Sequence, residues 1–220
     1  MYKFGLIASD TARSEIYIKN LIKKHTPLFI IIYAKKIKKL TKILNNKNYQ
    51  IIHYKTNDIN NRKIEKFILN SKINNFIFSG YSGEIIKSKI LLKNIIHAHP
   101  GDLPRYKGST TIYYSILMEK KVFCTVFKMS KKIDEGKILF KKKFSIPKNK
   151  YLIENNYDAK IRAKTLFAFL KKKNLRSKLI KKTKKFKFLN ANNTNYYYYI
   201  AHPIIRQIVI NKNIFKNINF

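Results

Sequence analysis

Short apolar runs alternate with longer amphipathic ones through the first half of the chain. "YKFGLIA" (2–8), "LFIIIYA" (28–34), "YQIIHYKT" (49–56), "NNFIFSGYS" (74–82) and "KNIIHAH" (93–99) are short, β-branched or aromatic, and bounded by polar or glycine-containing turns. They predict buried strands. Between them, residues 9–25 predict a loop leading into a helix with Ile16, Leu21 and Ile22 on one face. "KIKKLTKILNNK" (36–47) and "NRKIEKFILNSK" (61–72) predict further helices, and "GEIIKSKILL" (83–92) a short one. Alternation of this kind implies βαβ units. Right-handed crossovers then give an α/β fold: an open, mainly parallel twisted sheet with helices on both faces.

The pattern changes after residue 110. "STTIYYSILMEK" (109–120) predicts a helix. "VFCTVFKMS" (122–130) and "KILFKKKFSI" (137–146) predict strands paired like a hairpin across "KKIDEG". "NYDAKIRAKTLFAFLKKKN" (156–174) predicts an amphipathic helix with Ile161, Leu166, Phe169 and Leu170 near one face. Residues 181–210 predict a polar linker and then short strands, with "YYYYIAHPIIRQIVI" read as an edge strand or an aromatic stacking surface. The chain therefore divides into a main domain, 1–175, and a short C-terminal extension, 176–220. No internal repeat is visible.

Composition narrows the classes. The 220 residues suffice for one sizeable core. The longest apolar runs fall well short of the roughly 18 residues that span a bilayer, and the N-terminus lacks the pattern of a signal peptide. One cysteine, Cys124, excludes an internal disulfide and a multi-cysteine zinc site. These features point to a cytoplasmic protein without membrane partners. The formal net charge is +37. Two readings of it stand: a lysine- and asparagine-rich composition spread over tolerant surface positions, or a site for a polyanion such as nucleic acid. Either way, the positive field favours an anionic substrate.

Open parallel sheets bind ligands at the carboxyl ends of their strands. Ser9–Ser14, Gly80–Glu84 and His97–Gly101 all fall at such ends. His97 and His99 are two apart on one strand and share a face. Alone, such histidines are surface or hydrogen-bonded core residues, or half of a metal pair; no suitable third ligand is near, so no metal is expected.

The stretch "FIFSGYSGEIIKSKILLKNIIHAHPGDLPRYKGSTTIYYSIL" followed by "VFCTVFKMSKKIDEGKILFKKKFSIP" resembles the formyltransferases that use 10-formyltetrahydrofolate. That family includes the sugar N-formyltransferases, methionyl-tRNA formyltransferase and glycinamide ribonucleotide formyltransferase. Its hallmark is Asn-x-His-Pro-(Ser/Gly)-x-Leu-Pro, a basic-Gly turn and a helix, then an Asp in an Ile/Leu-Asp-x-Gly turn. The counterparts are His97-Ala98-His99-Pro100-Gly101-Asp102-Leu103-Pro104, Lys107-Gly108 and Ile133-Asp134-Glu135-Gly136. The resemblance covers residues 74–147 and implies the Rossmann-like formyltransferase fold.

Formyl transfer is acyl transfer. An amine attacks, an oxyanion develops, and protons move to the departing folate nitrogen. By resemblance, His99 is the proton-transfer residue, Asp134 its carboxylate partner, and position 97 the donor to the formyl oxygen, in sites of this kind worth ~3 kcal/mol. The family has Asn there and this chain has His97, whose donor depends on tautomer or pH. The resemblance also implies 10-formyltetrahydrofolate as formyl donor, held by Tyr81, Gly83, Ile85 and Ile86 in a loop about three residues shorter than the family's. The isoleucines also read as plain core packing.

For the acceptor, the loop after the first strand offers Ser9, Thr11 and Arg13 at a helix start, able to hold an anion or to reflect capping by Ser9 or Asp10. Asp102 and Lys107 join them as substrate-binding candidates. Asp158 and Arg162, at i and i+4, form a surface ion pair or a substrate contact. The short C-terminal part favours a nucleotide-linked amino sugar as substrate; methionyl-tRNA, glycinamide ribonucleotide and a non-catalytic nucleic-acid-binding relative stand as alternatives. A homodimer is left open.

Overall fold

A computed structural model describes residues 4–23, 28–44, 49–175 and 197–211. The apolar runs form strands β1 (Phe4–Ala8), β2 (Leu28–Tyr33), β3 (Gln50–Tyr54), β4 (Asn75–Ser79) and β5 (Asn94–His99). Later come β6 (Lys107–Gly108), β7 (Val122–Lys128), β8 (Ile138–Phe144) and β9 (Tyr197–Tyr198). Helices are α1 (Ala12–Lys23), α2 (Thr41–Leu44), α3 (Arg62–Asn70), α4 (Thr111–Glu119), α5 (Tyr157–Leu175) and α6 (Pro203–Ile210). The main sheet has seven strands in the order β3-β2-β1-β4-β5-β7-β8, and β6 pairs with β9 in a second, two-stranded sheet. Strands β1 to β5 pair in parallel. The mainly parallel α/β sheet expected from the alternation is therefore present.

The chain forms two compact units, 1–97 with 127–137, and 98–126 with 138–220. In the first, strand alternation sends Ile7, Phe29, Ile31, Tyr33, Phe76 and Phe78 into one cluster, where α3 adds Ile64 and Ile68. Helix α1 contacts β4 and buries Tyr17, Ile18 and Leu21. Its buried face is thus shifted from the expected one: Ile16 is only half-buried, and the Ile22 side chain lies outside the described residues. Ser14 takes part in the buried face, and Thr11, rather than Ser9 or Asp10, caps the helix by accepting the Ser14 N–H at 3.2 Å. In the second unit α5 packs on β8 and α4 on α6. Ile161, Leu166 and Leu170 are buried as expected, and Phe169 is half-buried against Phe140.

Three segments depart from the sequence reading. Only Thr41–Leu44 of the helix expected over 36–47 is helical among the described residues. The Asp10 carboxylate accepts the N–H groups of Lys38, Lys39 and Leu40 at 2.8–3.2 Å and holds that stretch in a loop. In 83–92 only Lys89–Leu92 coils, as a 3-10 turn. Asn60 takes the amides of Lys87 and Ser88, and Glu65 that of Lys89, so the amides serve tertiary bonds. The expected C-terminal edge strand shrinks to Tyr197–Tyr198, and Pro203–Ile210 is helix α6. His202 caps it by accepting the Ile204 N–H, with Pro203 in the first turn, where its missing N–H does no harm. The proposed boundary at 175 adjoins residues 176–196, which with most of the expected linker lie outside the described residues. Among the described residues no helix is long and apolar enough to cross a membrane.

Leu6 is fully buried at the centre of β1. Leu6→Ala is expected to destabilise the chain by roughly 3 kcal/mol in urea unfolding; a loss below about 1 kcal/mol would contradict the placement of β1 inside the sheet.

Candidate active-site elements at the strand ends

The order β2-β1-β4 makes the carboxyl ends of β1 and β4 a topological switch point, where successive crossovers diverge. A cluster of hydroxyls closes the seam there. Ser9 donates its N–H at 3.0 Å and its hydroxyl at 3.2 Å to the Ser79 carbonyl. Ser14 donates to the same carbonyl at 2.8 Å. Ser9, Ser14 and Ser79 are wholly buried. Ser9 therefore serves the β1–β4 junction, not an exposed anion site as the sequence suggested. Thr11 bonds the Ser14 hydroxyl at 3.0 Å, and Arg13 donates to the Gly80 carbonyl.

The loop after β4 is built around a residue the sequence reading passed over. The Glu84 carboxylate accepts the Tyr81 N–H at 2.6 Å and the Tyr33 hydroxyl. Gly80 permits this turn, since a Cβ there would lie 2.3 Å from Glu84 Oε2 and 2.4 Å from the Tyr33 hydroxyl. Burial raises the Glu84 carboxyl above its ordinary range, against the hydrogen bonds from Tyr33 and Tyr81 and the charge of Arg13. Burial, then the Glu84 charge, pushes the Tyr33 phenol up, so the phenol is the donor. Of the four residues assigned to the donor, Tyr81 is half-buried with its ring edge-on to Tyr33. Gly83 has φ +78° and no atom within 4 Å of a Cβ position, and Ile85 is exposed. Ile86 belongs to the core, as its packing alternative required.

His97 is half-buried on β5. Its Nδ1 lies 3.1 Å from the Phe78 carbonyl, which can only accept, so Nδ1 carries the proton. The ring packs against Phe78 and, edge-on, Phe127. Asp134 sits half-buried in the turn after β7 with φ +48°, a left-handed conformation that Asp tolerates. The turn is braced by the Ser130 hydroxyl, which donates to the Glu135 carbonyl, and closed by the Lys128 N–H to the Lys137 carbonyl at 2.9 Å. Gly136 is required: a Cβ would fall 2.0 Å from the Lys128 carbonyl.

In the second unit His99 is 2% exposed, and its Nε2 lies 2.8 Å from the Tyr106 carbonyl. By the same reasoning Nε2 carries a proton. Thr111 donates to the Pro100 carbonyl at 2.7 Å, and Thr125 to the Gly101 carbonyl at 2.6 Å. Asp102 is buried between Arg105 and Lys141, an ion-paired loop brace. Lys107 is buried with its ammonium 5.1 Å from the Tyr197 ring centre. Both are thus engaged within the protein. Asp158 and Arg162 do pair, at 2.5 Å, but Arg162 is 11% exposed and its Nη1 continues to the Ala98 carbonyl at 3.0 Å. The pair is thus more exposed at Asp158 than at Arg162. Cys124 is buried, and burial pushes its thiol up to about 12, so it is inert at neutral pH. Among the described residues no group of three or more His, Cys, Asp or Glu is placed to hold a metal.

The sequence profile described as Formyl transferase matches residues 18–166, more than half of the chain. The chain belongs to that family. A methionyl-tRNA formyltransferase from Buchnera aphidicola subsp. Schizaphis graminum (strain Sg) is 33% identical over 100 residues, covering 44% of this chain and 32% of that one. The match thus spans about a third of that relative. The phosphoribosylglycinamide formyltransferase of Bacillus halodurans has a similar fold, with TM-score 0.61 and 16% identity over 80% of this chain and 96% of the other. So has an N-formyltransferase from Helicobacter canadensis in complex with folinic acid and dTDP-3-aminofucose, with TM-score 0.56 and 17% identity over 90% of this chain and 71% of the other.

Two outcomes follow for the strand-end loops of this formyl transferase family member. A carboxyl raised in the folded state contributes stability below its unfolded pKa, near 4.5, and loses it as pH rises through the folded value. Glu84→Gln should therefore raise Tm relative to the parent chain at about pH 8 and lose that advantage at about pH 4; an equal difference at both contradicts it. At Gly101 a Cβ would stand 2.6 Å from both His99 Nε2 and the Tyr106 carbonyl. Gly101→Ala should cost about 1–3 kcal/mol in urea unfolding and break the His99 bond, read as loss of the Nε2-protonated signal in nitrogen NMR.

Proposed function

We propose that this family member transfers a formyl group from 10-formyltetrahydrofolate to a primary amine, with a nucleotide-linked amino sugar as the acceptor. The observation that carries the reading is His99: a buried imidazole at the end of β5 whose Nε2–H is held by the Tyr106 carbonyl. Bound folate supplies an activated formyl group. The loop after β4 fits its flat ring, with open backbone at Gly83, exposed Ile85 and half-buried Tyr81. Support for the folate and the sugar comes from the Helicobacter canadensis enzyme, whose structure holds both kinds of ligand.

In this reading Nδ1 of His99 takes the proton released by the attacking amine, and Asp134 favours the charged imidazole. Thr11 and Arg13, at the start of α1, meet the acceptor's anionic part. His97 replaces an amide donor, with a consequence set by its hydrogen bond. Its Nδ1–H is given to Phe78, so the neutral ring has only a lone pair at Nε2. Donation from Nε2 to the formyl oxygen then requires the doubly protonated ring. The second reading, a methionyl-tRNA acceptor, is favoured by the 33% identity to that enzyme and by the charge of +37.

The test is release of tetrahydrofolate from the formyl donor with a panel of amines: nucleotide-linked amino sugars, glycinamide ribonucleotide and methionyl-tRNA. Turnover is expected with an amino sugar, falling at least about 100-fold in His99→Ala and in Asp134→Ala. His97→Asn, which restores the amide of the family motif, should retain turnover. No turnover and no folate binding by calorimetry, or turnover indifferent to His99→Ala, overturns the reading.

A further inference from the structure

Ala98, the residue between the two histidines, is 1% exposed, so its carbonyl needs a partner. The described pairing of β5 with β4 covers Asn94 to Ile96. A partner for the Ala98 carbonyl comes from α5: Arg162 Nη1 donates to it at 3.0 Å. The guanidinium is itself aimed by Asp158, whose carboxylate accepts from Nε at 2.5 Å one helical turn earlier. Arg162 is 11% exposed while Asp158 is 44% exposed, so the pair has one end in solvent and the other on the strand. A planar guanidinium with several fixed donors can serve both partners at once, which a lysine ammonium on a flexible stem does poorly.

We propose that Arg162 is a positioning residue for His99. The ring of His99 is tied at Nε2 by the Tyr106 carbonyl. The peptide that precedes it is tied by Arg162, so the side chain is held from both directions. A buried base needs that support, because a displacement of about 1 Å between reacting groups can lower a rate roughly 100-fold. Arg162 touches no reacting atom in this account. It acts through the Ala98 peptide, and Asp158 acts through Arg162. The assignment rests on the proton-transfer role given to His99 above.

The experiment separates the two. Nitrogen NMR of the histidine rings in the full chain reads the geometry without any substrate. The parent chain should show His99 fixed as the Nε2-protonated tautomer. Arg162→Ala should shift the His99 ring signals toward a mixture of tautomers and leave those of His53, bonded to the Ala34 carbonyl, in place. In the transfer assay the same variant should lose roughly 10- to 100-fold in kcat while KM for donor and acceptor stays within about two-fold. Added guanidinium should restore part of kcat. Asp158→Asn should give a smaller loss in the same direction. Where Arg162→Ala does not fold, Arg162→Gln keeps one N–H donor and carries the comparison. Unchanged His99 signals in a folded variant overturn the proposal, as does a loss confined to KM. A parent chain that transfers no formyl group while its His99 tautomer still depends on Arg162 overturns the formyl-transfer reading and leaves the positioning role standing.

Discussion

A parallel sheet leaves the last carbonyls of its strands without ladder partners, and buried carbonyls cannot be left unbonded. In this chain side chains take them up one by one. Ser9 and Ser14 bond the Ser79 carbonyl, Arg13 that of Gly80, His97 that of Phe78 and His53 that of Ala34. At the end of β5 Arg162 bonds Ala98, and beyond it Thr111 bonds Pro100, Thr125 bonds Gly101, Lys141 bonds Leu103 and His99 bonds Tyr106. The same constraint that ends the sheet therefore fixes the groups with chemical potential. A histidine recruited to satisfy a carbonyl loses its choice of tautomer, and a loop whose carbonyls are bonded cannot drift.

The high positive charge is compatible with this fold because lysine is amphipathic. The stems of Lys107, Lys142 and Lys172 bring their ammonium groups over the rings of Tyr197, Phe144 and Phe140. Such contacts cover aromatic surface, and at Lys142 and Lys172, which are exposed, the charge stays hydrated. On β8, at the edge of the sheet, Lys141, Lys142 and Lys143 are consecutive and exposed. Lysines on an edge strand oppose pairing with another sheet. Part of the charge thus has work inside the fold, which weakens any argument from net charge alone to a nucleic-acid partner.

What the sequence made legible was whatever depends on neighbours in sequence. Runs such as "LFIIIY" are β-branched and apolar, so their strand state is a local property. The motif from His97 to Pro104 and the turn at Asp134 are likewise contiguous. Two of the misread segments share one cause: a distant side chain claims backbone amides that a helix would have used. Asp10 does so for Lys38 to Leu40, Asn60 for Lys87 and Ser88, and Glu65 for Lys89. Hydrophobic periodicity carries no trace of such bonds. The C-terminal helix differs, because His202 followed by Pro203 is a capping pair that could have been recognised. Glu84 and Arg162 were missed as structural anchors because their partners lie on other elements.

The two histidines show how one constraint yields two chemistries. His99 and His97 each spend one nitrogen on a carbonyl, but not the same nitrogen. His99 gives Nε2–H to Tyr106 and keeps a lone pair on Nδ1; His97 gives Nδ1–H to Phe78 and keeps one on Nε2. A neutral imidazole so held is suited to accept a proton and unsuited to stabilise an oxyanion. For His97, donation from Nε2 requires the protonated ring, whereas an amide at that position would donate at any pH. The ring's packing against Phe78 and Phe127 leaves little freedom to exchange the two nitrogens.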